Sequence, residues 1–134
     1  MVMLMYNITI ITMRKKGLVK LNNVEFKTRQ LIREIKRSNV YNQYRRLQMK
    51  LTKDTELNKR VNEFRKACFI IQNKPQEPDD IQKLEVLNKE YSEILENSDV
   101  REFFTAERGL ALMMNQLMDQ IYGSLDMDVS FLDD

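Results

Sequence analysis

Residues 98–125 read SDVREFFTAERGLALMMNQLMDQIYGSL. At 100° per residue, Phe103, Leu110, Met114, Ile121 and Leu125 fall on one line of a helix. Val100, Phe104, Ala111, Met118 and Tyr122 form one shoulder of that line; Ala106, Met113 and Leu117 form the other. The apolar arc covers about half the circumference, wider than the roughly 100° stripe of a helix resting on one core. Arg101, Thr105, Arg108, Asn115, Gln116, Asp119 and Gln120 fill the opposite face. At about 1.5 Å per residue such a helix spans roughly 40 Å, longer than a compact domain of this size needs. The expectation is a helix that touches its own chain on one flank and a second surface, such as another protein chain, on the other.

Working upstream, the remaining helices are read from the same periodicity. Residues 21–37 carry Val24, Leu31 and Ile35 on a stripe with Leu21 and Ile32 beside it. Ser38 or Asn39 ends that helix and caps the next, which is lined by Val40, Tyr44, Leu47 and Leu51. After the junction Thr52-Lys53-Asp54, the residues Leu57, Val61, Phe64, Cys68 and Ile71 form a narrow stripe, with Phe69 and Ile70 off it and free to meet another chain. Asn73-Lys74-Pro75-Gln76-Glu77-Pro78 is the one strong breaker. Pro78, with Asp79 and Asp80, starts a fourth helix whose buried face is expected to be Ile81, Leu84, Leu87, Tyr91, Ile94 and Leu95. Asn97-Ser98-Asp99 caps the long helix, and Asp99 with Glu102 has capping-box spacing. The fold expected is all-α: a bundle of about five helices with a long C-terminal helix, self-associating.

The 134 residues suffice for one domain with a real core. A charged fraction of 31% beside 3 Gly and 2 Pro suits a helical protein. One cysteine excludes an intrachain disulfide framework and fits a reducing, cytoplasmic setting. The absence of histidine removes the commonest general acid/base and metal ligand.

The net charge of +2 conceals a strong polarity. Residues 14–74 hold 18 Lys and Arg against 5 Asp and Glu, net +13; residues 75–134 hold 4 against 15, net −11. Two explanations follow. The halves pack together and neutralise each other, within or between chains, or a basic face stays open to nucleic acid.

Three regions are expected: an apolar and basic N-terminal extension over residues 1–20, a helical domain over 21–125, and an acidic tail over 126–134. Residues 1–13, MVMLMYNITIITM, are too few to cross a bilayer as a helix, so no stable membrane insertion is expected. Arg14-Lys15-Lys16 follow the apolar run, whereas a secretory signal carries its charge before it. An added strand, an aggregation-prone tail and a membrane-surface tether are open readings of this stretch. The preferred one is that native translation starts at Met13, so that residues 1–12 are not native. The tail alternates acids with Met127, Val129, Phe131 and Leu132, reading as disordered or as a docking segment.

Few residues invite chemistry. Glu107 sits in the apolar arc, one turn from Phe103, Phe104, Leu110 and Ala111, where a carboxylate is costly without a cation. The structural reading is an ion pair with Arg29, Arg33 or Arg45; the functional one is catalysis or metal binding. Cys68 lies beside Phe64 and Ile71 as a small apolar group, with no histidine to activate it. Tyr41-Asn42-Gln43-Tyr44-Arg45-Arg46 joins aromatics to cations and invites an RNA reading, though Tyr44 belongs to the apolar stripe. Gly17, Gly109 and Gly123 are isolated, and no phosphate-binding or zinc spacing occurs. No catalytic residue, cofactor or metal is assigned.

The ordered motifs Ser38-x-x-Tyr41-x-x-Tyr44, Asp54-x-Glu56-Leu57 before Phe64-Arg65, and Val100-x-x-Phe103-x-x-Ala106-Glu107-x-x-Leu110 resemble the bacterial YlbF/YmcA family, helical regulators grouped with YheA. The resemblance covers residues 24–125. It implies a self-associating helical bundle with a non-enzymatic role, its members partnering one another and an endoribonuclease and influencing mRNA processing, competence, sporulation and biofilm development. Glu107 falls on the acidic position of the family's Ala-Glu pair. Some relatives end in a cysteine-rich tail linked to iron–sulfur binding; this chain ends in acids without cysteine, so no cluster is expected.

Taken together, the expectation is a non-enzymatic regulatory adaptor. Phe103, Phe104, Leu110, Met113, Met114, Leu117, Met118 and Ile121 form its homo-oligomer or partner interface, and Glu107 is a structural buried charge. The alternative is an RNA-binding module using Arg45, Arg46, Lys50, Arg60, Arg65 and Lys66.

Overall fold

The computed structural model describes residues 22–126, 128 and 130–133. The N-terminal extension, with the expected start at Met13, lies outside the described residues, as do three residues of the tail. Among the described residues there are six helices and no strand: α1 (Asn22–Arg37), α2 (Asn39–Thr52), α3 (Thr55–Gln72), α4 (Asp80–Glu90), α5 (Ser92–Leu95) and α6 (Ser98–Ser124), followed by a 3-10 turn at Ser130–Leu132. The all-α architecture and the long final helix match the periodicity, and no described helix is long and apolar enough to cross a membrane.

Short polar side chains set the helix starts. Ser38 turns extended, with φ −65° and ψ 148°, and its Oγ accepts from the Tyr41 N–H at 3.2 Å. Asp54 Oδ1 accepts from the Leu57 N–H at 3.1 Å. At α6 the cap is Asn97, whose Oδ1 accepts from the N–H groups of Asp99 and Val100 at 2.9 and 3.3 Å. The expected Asp99–Glu102 capping box does not form; Asp99 instead accepts from Lys50 Nζ at 2.7 Å.

The expected fourth helix is two, divided at Tyr91. The Tyr91 ring lies 5.4 Å from that of Phe64, with the Arg60 guanidinium 4.3 Å over it. These are tertiary contacts that local sequence does not announce. Regular helix begins at Asp80, with Pro78 in the turn that leads into it.

The core is small. Leu47 and Leu51 of α2, Val61 and Phe64 of α3, Tyr91, Ile94 of α5, and Val100, Phe103 and Ala106 of α6 are its buried apolar residues among those described. α2 runs antiparallel to α6. Lys50 pairs with Asp99, the Tyr44 ring stacks 5.6 Å from Phe103, and a Cβ placed on Gly109 would lie 3.9 Å from Val40. At about 1.5 Å per residue α2 is roughly 21 Å long and α6 roughly 40 Å. α2 therefore runs out near Gly109, and α6 has no buried residue after Ala106.

Two expected core faces are not core. α1 buries nothing: Val24 is 65% exposed and Ile32 38%, because its packed neighbour is only α2, joined to it through Ser38. Ile81 is 69% exposed, since the start of α4 is anchored by charges rather than by apolar contact.

These burials set unequal costs. Leu47→Ala should lose about 2–5 kcal/mol in urea unfolding, as a cavity-forming core truncation does. Val24→Ala and Ile81→Ala, measured at concentrations low enough to exclude association, should change stability by less than about 0.5 kcal/mol.

Candidate interaction surfaces

The basic half is largely occupied by the acidic half. Arg60 on α3 donates to Glu93 Oε1 through Nη2 at 2.8 Å while lying over Tyr91. Arg65, one and a half turns on, donates to Glu107 on α6 and lies 5.4 Å from the centre of the Phe103 ring. Lys50 on α2 holds Asp99 at the start of α6. Each of these pairs joins the basic segment to the acidic one, so the chain neutralises part of its polarity internally. The cations also rest on a chain of rings, Tyr44, Phe103, Phe104, Phe64 and Tyr91, whose centroids are 5.4–5.9 Å apart. Such contacts combine apolar area with cation–π attraction.

Three of the six residues assigned to a nucleic-acid face are thus committed within the chain. Of the others, Arg45 donates to Gln48 beside it, and Arg46 and Lys66 are exposed without an ion-pair partner among the described residues. Glu107 is paired, as the structural reading expects, but with Arg65 rather than Arg29, Arg33 or Arg45. Arg29 pairs within α1 with Glu25. Cys68 is half-buried, and burial pushes its thiol pKa up, away from nucleophile chemistry.

A charged clasp joins α3 to α4, and periodicity alone missed it. Lys74 Nζ meets Glu77 Oε2 at 2.8 Å and Asp80 Oδ1 at 3.0 Å; Lys83 Nζ meets the same Glu77 oxygen at 2.8 Å and Asp79 Oδ1 at 3.2 Å. The Glu77 N–H donates to Asp80 Oδ2 at 2.8 Å. That backbone bond, then Lys74, holds the Asp80 carboxyl below its usual range. Lys74 and Lys83 do the same to Glu77. The spacing Lys74, Glu77, Asp80 and Lys83 around two prolines was the available signal.

The expected association set divides at Gly109. Phe103 is 2% exposed and serves the chain's own core, and Phe104 packs against that core half-buried. Leu110, Met113, Met114, Leu117 and Met118 are only half-buried, while Ile121 is 43% exposed and Leu125 63%. Opposite them in chain order, α1 leaves Val24, Phe26, Leu31 and Ile32 open. A further apolar groove of about 500 Å³ lies between α3 and α4, floored by Ala67, Ile70, Ile71, Val86 and Leu87, with Lys83 at its edge.

Residues 24–126 match the family model described as control of competence regulator ComK, YlbF/YmcA. The chain is also similar to a UPF0342 protein of Halothermothrix orenii, 28% identical over 105 residues, which spans 75% of this chain and 87% of that relative. No solved structure matches.

The clasp implies a pH signature. A carboxyl whose folded pKa is lowered adds stability above its unfolded value and loses it as pH falls through the folded value. Asp80→Asn should therefore destabilise the fold near pH 7 and do little near about pH 2, read by denaturant unfolding at both. At α6, a double-mutant cycle of Arg65→Met and Glu107→Gln should give a coupling of about 0.5–1 kcal/mol, each variant staying helical.

Proposed function

Because the chain belongs to the YlbF/YmcA family, we propose that it is a regulatory adaptor, working in the cytoplasm by protein–protein binding and modulating a ribonuclease, and through it mRNA processing and developmental pathways. The observation that carries this reading is the apolar surface left uncovered on α1 and on α6 beyond Gly109. Monomeric soluble proteins rarely expose large contiguous apolar patches, and those that do mark interaction sites. Half-buried Met113, Met114 and Met118 give that surface side chains that adapt to a partner. The proposal assigns binding rather than bond-breaking; the carboxylate that a catalytic reading would use, Glu107, is held by Arg65.

An endoribonuclease of the source cell, titrated with the purified chain by calorimetry, tests the reading. Binding should persist at about 200 mM salt and disappear in a Met114→Glu, Ile121→Glu variant. The RNA alternative makes the opposite forecast: affinity for RNA falling by about 10³-fold or more between 50 and 200 mM salt, and lost in Arg45→Glu, Arg46→Glu. RNA binding of that kind without ribonuclease binding would overturn the adaptor reading.

A further inference from the structure

The two uncovered helical surfaces fit one another, and the geometry points to their pairing between two copies of this chain: α1 of one copy lies along residues 110–125 of the other's α6, and reciprocally. This rests on the binding reading above and names its first partner.

Four observations carry it. The surfaces match in length: α1 has 16 residues, as does the stretch 110–125, each about 24 Å of helix. They match in pattern. Val24, Thr28, Leu31 and Ile35 step by four, three and four residues, and so do Leu110, Met114, Leu117 and Ile121. Such rows interdigitate between packed helices. They leave the body at one end, since Val40 adjoins Gly109, α1 precedes Val40 through Ser38, and the uncovered half of α6 follows Gly109. A two-fold axis near that end brings each α1 to the other copy's α6 and closes the assembly at two chains.

Charge selects the pairing. α1 carries Lys27, Arg29, Arg33, Lys36 and Arg37 against Glu25 and Glu34. Lys27, Arg33 and Lys36 have no ion-pair partner among the described residues. Residues 109–134 hold five aspartates and no Lys or Arg. Pairing α1 with α1, or α6 with α6, sets like charges together; pairing α1 with α6 sets opposite ones together. Within one chain, α1 and the far half of α6 both stay open, so the complement comes from a second copy.

The test is sedimentation velocity on the full chain at about 50 μM. The wild type should sediment as a dimer. Leu31→Asp and Leu117→Lys, each alone, should be monomers with unchanged helicity by circular dichroism; should Leu117→Lys lose helicity, the more exposed Ile121→Lys replaces it. An equimolar mixture of the two variants should regain a dimer. One of its reciprocal contacts is unmodified, and the other sets the introduced acid against the introduced base. A wild-type monomer, variants that remain dimeric, or a mixture that stays monomeric would overturn the pairing. A wild-type monomer that still binds the ribonuclease leaves the adaptor reading standing; a dimer behaving as expected that binds no ribonuclease overturns that reading alone.

Discussion

A mismatch of lengths governs this molecule. α6 is nearly twice as long as α2, the helix it packs against most extensively, and the two start from opposite ends of the same small core. Closing the core around Leu47, Val61, Val100 and Phe103 uses the first three turns of α6 and leaves the next four without a cover. A helix of apolar side chains in water keeps its backbone hydrogen bonds but forgoes about 25 cal/mol for each Å² of apolar surface that burial would remove. The uncovered half is therefore where binding energy is stored.

The charge polarity acts on the same frame. Three ion pairs, Lys50–Asp99, Arg60–Glu93 and Arg65–Glu107, tie α2 and α3 to the acidic segment. Their partners are all partly exposed, so each contributes modestly to stability, and their main effect is orientation: they set α3 in register along α6 while Phe64 meets Phe104 and Tyr91. What these pairs leave unneutralised is spatially sorted, basic on α1 and acidic beyond Gly109. A compact body with an apolar, oppositely charged pair of arms is built to associate.

Much of this was legible in sequence, and for a definable reason. Residues behind the resemblance are caps and core positions: Ser38 and Asp54 cap helices, Val100, Phe103 and Ala106 are buried, and Glu107 finds an arginine. Period and capping chemistry are local, so they survive in a single sequence. Burial is not local. The stripe of α1 has the same spacing as that of α2, yet Val24 is exposed while Leu47 is fully enclosed, because tertiary placement decides which stripe is covered. The break at Tyr91, the choice of Arg65 over three other arginines as the partner of Glu107, and the clasp at Lys74 and Lys83 each depend on contacts between helices. Periodicity carries no trace of them.

Amide hydrogen exchange on the full chain, followed from high micromolar to low nanomolar concentration, tests the central claim most directly. Protection in α2, α3 and the first turns of α6 reports the closed core, whereas protection in α1 and residues 110–125 reports what covers them. The account predicts that dilution leaves the former unchanged and strips the latter from both segments together. Protection of residues 110–125 that equals that of the core and is indifferent to dilution would contradict it, because their cover would then be supplied by the chain itself.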